Sequence, residues 1–304
     1  MTTGFKAGFV GLIGLPNSGK STLMNFLIDE KVAIVTPRPQ TTRRRVHGIL
    51  NEEASQIVFV DAPGLVTAKP GLFDFLAKEA QEVMAESDAL IAVLSLDLKS
   101  AEEAESIISM VSKSGKPWMA VINKIDLEAL SHRSLILRNM LQDHKVPILS
   151  VSCLHRDKFQ KEDREELITE IKKLIPESPA PLYDPELYTT ESLRDLACEI
   201  VREKCFLNLK DEVPYSMAIR TIEFKEDADP IPRITLEIIV SKDNHKGIVI
   251  GKGGQLLKKI GQEARVEIEK LMGTKIFLGL KVSTREDWFQ NKRIMKELGY
   301  YHES

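Results

Sequence analysis

The sequence predicts an α/β fold with a doubly wound, mostly parallel sheet, followed by a smaller α+β unit. Three observations carry that expectation. Short apolar runs alternate with helical patterns as far as Leu174, the rhythm of parallel strands joined by crossover helices. Four prolines, Pro176, Pro179, Pro181 and Pro185, then crowd into ten residues and forbid regular structure. Beyond them the order changes to helix, strand, strand, helix, helix, strand.

The elements are read in chain order. Residues 7–13 (AGFVGLI) form an apolar run that ends in a Gly-rich turn, and the stretch after Lys20 (STLMNFLI) carries apolar residues at helical spacing. Further apolar runs at 56–60, 89–96, 118–122 and 146–151 read as buried strands. Helical patterns separate or follow them at 73–86, 101–114, 132–142 and 164–174. After the proline-rich linker come a helix at 190–208, alternating strands at 216–224 and 233–241, a Gly-rich loop, a helix at 255–272 and a strand at 275–283. The expected domains are therefore 1–178 and 179–304.

Composition bounds the class of protein. At 304 residues the chain exceeds the usual domain size, which is roughly 100–200 residues, so two domains are expected. Hydrophobic residues at 43% and charged residues at 29% exclude a disordered chain. The apolar run at 89–96 closes at Asp97, far short of the ~20 residues of a spanning helix, so no transmembrane segment is expected. Residues 1–10 hold one lysine and lack the apolar core and cleavage site of a secretory signal. Cys153, Cys198 and Cys205 have no paired spacing, which points to reduced thiols and away from disulfides or zinc. A cytoplasmic protein is expected. The net charge of −3 says nothing about local basic patches, which are what a nucleic-acid partner requires.

The chemistry begins at residues 14–21, GLPNSGKS, which fit G-x-x-x-x-G-K-[ST] between a strand and a helix. Gly14 and Gly19 let the backbone curl around phosphate oxygens through Asn17 and Ser18. Lys20 supplies a cation, the Ser21 hydroxyl suits Mg2+, and Thr22 opens the helix whose N-terminus faces the phosphates. Asp61 ends the next strand and is followed by Pro63 and Gly64. A carboxylate there holds Mg2+ through water, and the Gly64 amide senses a γ-phosphate. Asn123-Lys124-Ile125-Asp126 ends another strand. The Asp126 carboxylate accepts from the two donors on the guanine edge, which adenine lacks, so GTP is expected over ATP. Ser152-Cys153-Leu154 follows the strand at 146–151, where a loop would close over the base through backbone amides, with Cys153 as a small packing residue.

In the second unit, Gly251-Lys252-Gly253-Gly254 joins two helices in a GxxG loop, as a KH domain requires. Residues 242–259 hold five lysines against the single acid Asp243. Lys246, Lys252 and Lys258 of this patch are the candidate contacts to a single-stranded RNA backbone, with Gly251, Gly253 and Gly254. Ile248, Ile250, Leu256 and Ile260 are expected to form groove wall and core.

These motifs in this order resemble the Era family of GTPases. The likeness extends to PQTTRRR at 39–45, EIVREK at 199–204, EVPYS at 212–216 and VIGKGGQLLKKIGQEAR at 249–265. It implies a P-loop GTPase domain followed by an α+β type II KH domain. By position, Thr41-Thr42 would be the mobile switch segment, with Thr42 favoured as the Mg2+ ligand and Thr41 the alternative. Catalytic roles would fall to Lys20, Asn17, Thr42 and Gly64. Ala62 and Cys153 depart from the usual family residues, Thr and Ala. Leu65 stands where Ras-type enzymes place a water-orienting Gln. Similar GTPases with Asn at the position of Asn17 use K+ beside the phosphates; the alternative is that Asn17 only holds the loop turn. The resemblance further implies GTP and GDP as ligands, with Mg2+. Its expected partners are the 3′ region of 16S rRNA and the 30S subunit, for a monomer acting in small-subunit assembly with weak peripheral membrane association. A signalling or membrane-associated GTPase, whose C-terminal domain binds protein or lipid head groups through the same lysines, is the competing class.

Overall fold

The computed structural model describes residues 4–38, 41–64, 72–154 and 161–300, with side chains from 75 and 162 onward in the last two stretches. Its described residues divide into two compact units: 4–64 with 76–190, and 191–300, with which residues 72–75 also group.

The first unit is built on β1 (Lys6–Ile13), β2 (Val46–Glu52), β3 (Ser55–Asp61), β4 (Ala89–Ser95), β5 (Trp118–Asn123) and β6 (Ile148–Val151). They form one sheet in the order β2-β3-β1-β4-β5-β6. All neighbours run parallel except β2, which pairs antiparallel with β3. The connecting helices are α1 (Lys20–Ile28), α2 (Leu72–Glu86), α3 (Ala101–Ser112), α4 (His132–Leu141) and α5 (Lys161–Leu174). Strands β3, β4 and β5 are buried along their whole length, because helices cover both faces of a doubly wound sheet. Alternation then assigns the faces. Val10, Leu12, Ile57, Phe59, Ile91 and Val121 pack with α1 and α5. Ile13, Val60, Leu90, Leu94 and Ile122 pack with residues of α2, α3 and α4. Each such side chain contributes roughly 1.5–3 kcal/mol through burial.

Two features differ from the sequence expectation. Strand β2 has no counterpart in it, because His47, Gly48 and Asn51 break the apolar run. The β2–β3 hairpin turns at Glu53-Ala54 without the Asn-Gly signal that marks such turns. The other difference concerns the domain boundary. Residues 179–190 group with the first unit, held there by the fully buried Gln56. Its Oε1 accepts from the backbone N–H of Leu182 (2.7 Å) and Tyr183 (2.8 Å), and its Nε2 donates to the Tyr183 carbonyl (2.8 Å). Asn51 Nδ2 donates to the Leu187 carbonyl at 2.8 Å, Ile49 N–H to Tyr188 at 2.8 Å, and Thr189 Oγ1 to the His47 carbonyl at 2.7 Å. The prolines forbid regular structure as expected, yet the segment is strapped along the β2 edge.

The second unit contains α6 (Leu193–Asn208), β7 (Met217–Lys225), β8 (Arg233–Val240), α7 (Asp243–Ile250), α8 (Gln255–Met272), β9 (Phe277–Thr284) and α9 (Lys292–Glu297). This is the expected α-β-β-α-α-β order with α9 added. The sheet order is β7-β8-β9, antiparallel then parallel. Ile234, Leu236, Ile238 and Val240 of β8 form its core with Val201, Cys205 and Phe206 of α6 and Ile260, Ala264 and Ile268 of α8. Burial pushes the Cys205 thiol up to about 12, so it serves as a core residue. No helix among the described residues is long and apolar enough to cross a membrane.

Candidate functional site

A cleft of about 570 Å³ opens in the first unit. It lies at the carboxyl ends of the parallel strands, where open α/β sheets place ligands. The loop between β1 and α1 forms its floor through Pro16, Asn17 and Gly19, with Lys20, Ser21 and Thr22 at the start of the helix. Gly19 adopts φ 93°, and a Cβ there would fall 2.1 Å from Asn123 Nδ2. That position therefore admits only glycine. Asn123 Nδ2 donates to the Ser18 carbonyl at 3.0 Å, and its Oδ1 accepts from Lys124 N–H at 2.8 Å. One buried amide thus joins the phosphate loop to the NKxD loop. Lys20 is 6% exposed, with Nζ donating to the carbonyls of Gly14 (3.2 Å) and Leu15 (3.1 Å). Burial lowers its pKa, and the nearby Asp61 carboxylate opposes that shift.

Ser21, Thr42 and Asp61 converge on one point. Ser21 Oγ lies 3.0 Å from Thr42 Oγ1 and donates to Asp61 Oδ2, and Thr42 Oγ1 donates to the same oxygen at 3.1 Å. Asp61 is fully buried and its Oδ1 has no hydrogen-bond partner among the described residues. Burial raises its pKa, against Lys20 and the two hydroxyls. Two hydroxyls and a carboxylate with an orphaned oxygen are the hard donors that a divalent cation takes, so the residues fit Mg2+. Thr41 points elsewhere, with Oγ1 2.7 Å from Thr36 Oγ1 and donating to the Arg38 carbonyl at 2.9 Å. Gly64 lies against the phosphate loop: a Cβ there would meet Pro16 Cα at 2.7 Å. Leu65, Pro39 and Gln40 lie outside the described residues.

Asn17 sits at φ 64°, and its Nδ2 donates to the Pro37 carbonyl at 3.1 Å. It ties the phosphate loop to the segment 34–38, all of which lines the cleft. At the other end stand Lys124, Asp126 and Cys153. Lys124 Nζ pairs with Asp97 Oδ2 at 2.7 Å, and Ser152 Oγ donates to Asp126 Oδ1, orienting that carboxylate. Gly14, Ser18, Asp61 and Ser152 stand behind the lining residues rather than among them. Sequence reasoning missed Ile34, Val35, Asp97 and Leu127 in this cleft. Asp97 had a signal, since it follows β4 at the ligand-bearing edge of the sheet.

The second unit has its own concavity, a groove of about 420 Å³. Helix α7 ends at Gly251 with φ 72°, Gly253 and Gly254 have φ 58° and 77°, and α8 starts at Gln255. Lys246, Lys252 and Lys258 are exposed. Lys258 lines the groove and Lys246 does not. The expectation of groove wall and core holds for the core and not for the wall, since none of the four apolar residues lines the groove. Ile260 is fully buried in the core, Leu256 packs against that core, and Ile248 is exposed. Leu257, Leu278 and Leu280 form the apolar wall instead. A step of 100° per helical residue turns 257, 261 and 265 outward while 260, 264 and 268 face the core.

Both units match known proteins. Residues 9–124 match the family described as 50S ribosome-binding GTPase, and residues 212–289 match the KH domain. GTPase Era of Geotalea daltonii is 40% identical over 299 residues, covering 97% of this chain and 98% of that protein. The crystal structure of an Aquifex aeolicus Era variant bound to GDP·AlF4− aligns with TM-score 0.89 at 35% identity, covering 97% of this chain and 99% of that one. Era in complex with MgGDPNP and nucleotides 1506–1542 of 16S ribosomal RNA aligns with the same TM-score of 0.89 and 35% identity, over the same 97% and 99%.

Proposed function

The chain belongs to the GTPase Era family, and from that premise we propose that it hydrolyses GTP in the first-unit cleft and binds single-stranded 16S rRNA in the KH groove. The observation that carries the nucleotide reading is the convergence of the phosphate loop, the Ser21-Thr42-Asp61 cluster and the Asp126-Ser152 pair on one cleft.

Each residue has a role in that reading. Backbone amides of 14–19 and the α1 N-terminus hold the phosphates, and the Lys20 ammonium neutralises charge that builds on the β- and γ-phosphates. Ser21 and Thr42 would hold Mg2+ beside the Asp61 carboxylate; when bound, the ion would supply positive charge to the phosphate oxygens. Gly64 packs against Pro16 of the phosphate loop, and its amide would meet the γ-phosphate. Asp126, steadied by Ser152, accepts from guanine, while Lys124 and Cys153 frame the base. Water attacks phosphorus in line, and GDP and phosphate leave.

Leu65 cannot orient that water by hydrogen bonding, since its side chain has no polar atom. Asn17 supports a K+ reading: its amide already meets the Pro37 carbonyl, and such oxygens suit a monovalent cation near the phosphates. Replacing Na+ with K+ should then raise turnover; an equal rate leaves Asn17 as a tie between two loops.

For RNA, Lys246, Lys252 and Lys258 with the amides of 251–254 hold the sugar-phosphate backbone. The role that follows is assembly of the small, 30S subunit in the cytoplasm, by a monomer. Phosphate release and filter binding test the reading together. The protein should release phosphate from GTP and not from ATP, and Lys252→Asp should lose RNA binding. Equal use of ATP, or undiminished RNA binding by the variant, would contradict it.

A further inference from the structure

Gly261 stands in the interior of α8, the 18-residue helix that forms one side of the KH groove. Glycine weakens a helix interior because it gives up more backbone freedom than any other residue. Neither usual justification applies. Its backbone is not among the positive-φ positions. An added Cβ would meet only Leu280, Cδ1 at 3.4 Å and Cγ at 3.9 Å, which is ordinary contact. The free protein therefore has room for alanine, the better helix former.

What the position does have is a place in the groove. Gly261 lies on the helix face of Leu257 and Arg265, opposite Leu278 and Leu280 of β9. The wall is apolar at the three leucines, and the helix adds exposed Lys258, Gln262 and Arg265. A surface with apolar faces and polar heads suits a flat heterocycle, with the ring face on carbon and the edge and phosphate on amide and cation.

We propose that Gly261 is a specificity-determining residue of the groove, whose missing side chain keeps the floor low enough for one unpaired nucleobase to lie against Leu257 and Leu280. The inference rests on the RNA-binding reading of this groove. A methyl group at 261 would rest on Leu280 and lift the floor, and a larger side chain would fill the slot. Gln262, one residue further along the helix, brings a carboxamide that both donates and accepts to the edge of that base.

The test uses the full chain and an RNA of the sequence of nucleotides 1506–1542 of 16S rRNA, with a series in which one nucleotide at a time is abasic. Gly261→Ala should melt at or above the parent temperature and bind the intact RNA more weakly. Gly261→Leu should lose on the order of tenfold in affinity or more. At a single abasic position the penalty should disappear, because no base remains to compete with the added side chain. Undiminished binding by both variants, or a penalty equal on every abasic RNA, would overturn the proposal. Failure of the parent protein to bind the intact RNA would instead overturn the reading beneath it. The alanine variant, which meets no clash, keeps the test decisive if the leucine variant fails to fold.

Discussion

At the scale of single residues the cleft separates side chains that look equivalent in the sequence. Thr41 and Thr42 are adjacent, yet Thr42 reaches Ser21 and Asp61, while the Thr41 hydroxyl meets Thr36 Oγ1 and the Arg38 carbonyl. Thr42→Ala should raise the Mg2+ concentration needed for half-maximal GTP turnover, and Thr41→Ala should leave that titration in place. Lys20→Ala removes the buried cation and should lower turnover by about 10²–10³, read as phosphate release at saturating GTP. Gly19→Ala sets a Cβ 2.1 Å from Asn123 Nδ2 on a left-handed backbone. It should destabilise the protein by about 1–3 kcal/mol in a denaturant titration and weaken GTP binding with it. The glycines, lysine and Asp126 were legible because motif spacing encodes them. Motif spacing does not choose between the two threonines; the resemblance favoured Thr42, and the choice depends on which hydroxyl faces Ser21 and Asp61.

At the scale of elements, local pattern identified the strands buried on both faces and the alternating strands of the second unit, and it failed at β2. Strand β2 has intermediate burial at His47, Asn51 and Glu52, so its sequence lacks a continuous apolar run. The strap at 182–189 was equally hidden, because its bonds to Gln56, Asn51 and His47 join residues more than 120 positions apart. Prolines announce that a segment is irregular and say nothing about what it packs against. Gln56→Ala removes the acceptor of two backbone N–H groups and the donor to a carbonyl, all part-buried. It should cost about 1–3 kcal/mol, visible as a drop of a few degrees in the melting temperature. The KH groove shows the same limit. The GxxG loop was legible as a motif, but Leu278 and Leu280 come from a strand that no local rule ties to it.

At the scale of the whole molecule, a nucleotide cleft and an RNA groove occupy separate compact units of one chain. Two ligands on one chain can be linked only if each binds one state of the protein better than another, and any such linkage is reciprocal. If the GTP state of segment 36–45 alters RNA affinity, RNA must alter GTP affinity by the same factor. RNA affinities measured with a GTP analogue and with GDP give that factor, and equal values would exclude coupling. The order of elements in both units was legible because each motif sits at a fixed place in its fold: the phosphate loop after β1, the base loop after β5, GxxG between α7 and α8. The RNA proposed for the second unit is the 3′ region of 16S rRNA. Crosslinking the protein to RNA in cells and sequencing the bound fragments tests it most directly. The reads should concentrate at the 3′ end of 16S rRNA; reads spread over other RNAs, or none above background, would contradict the account.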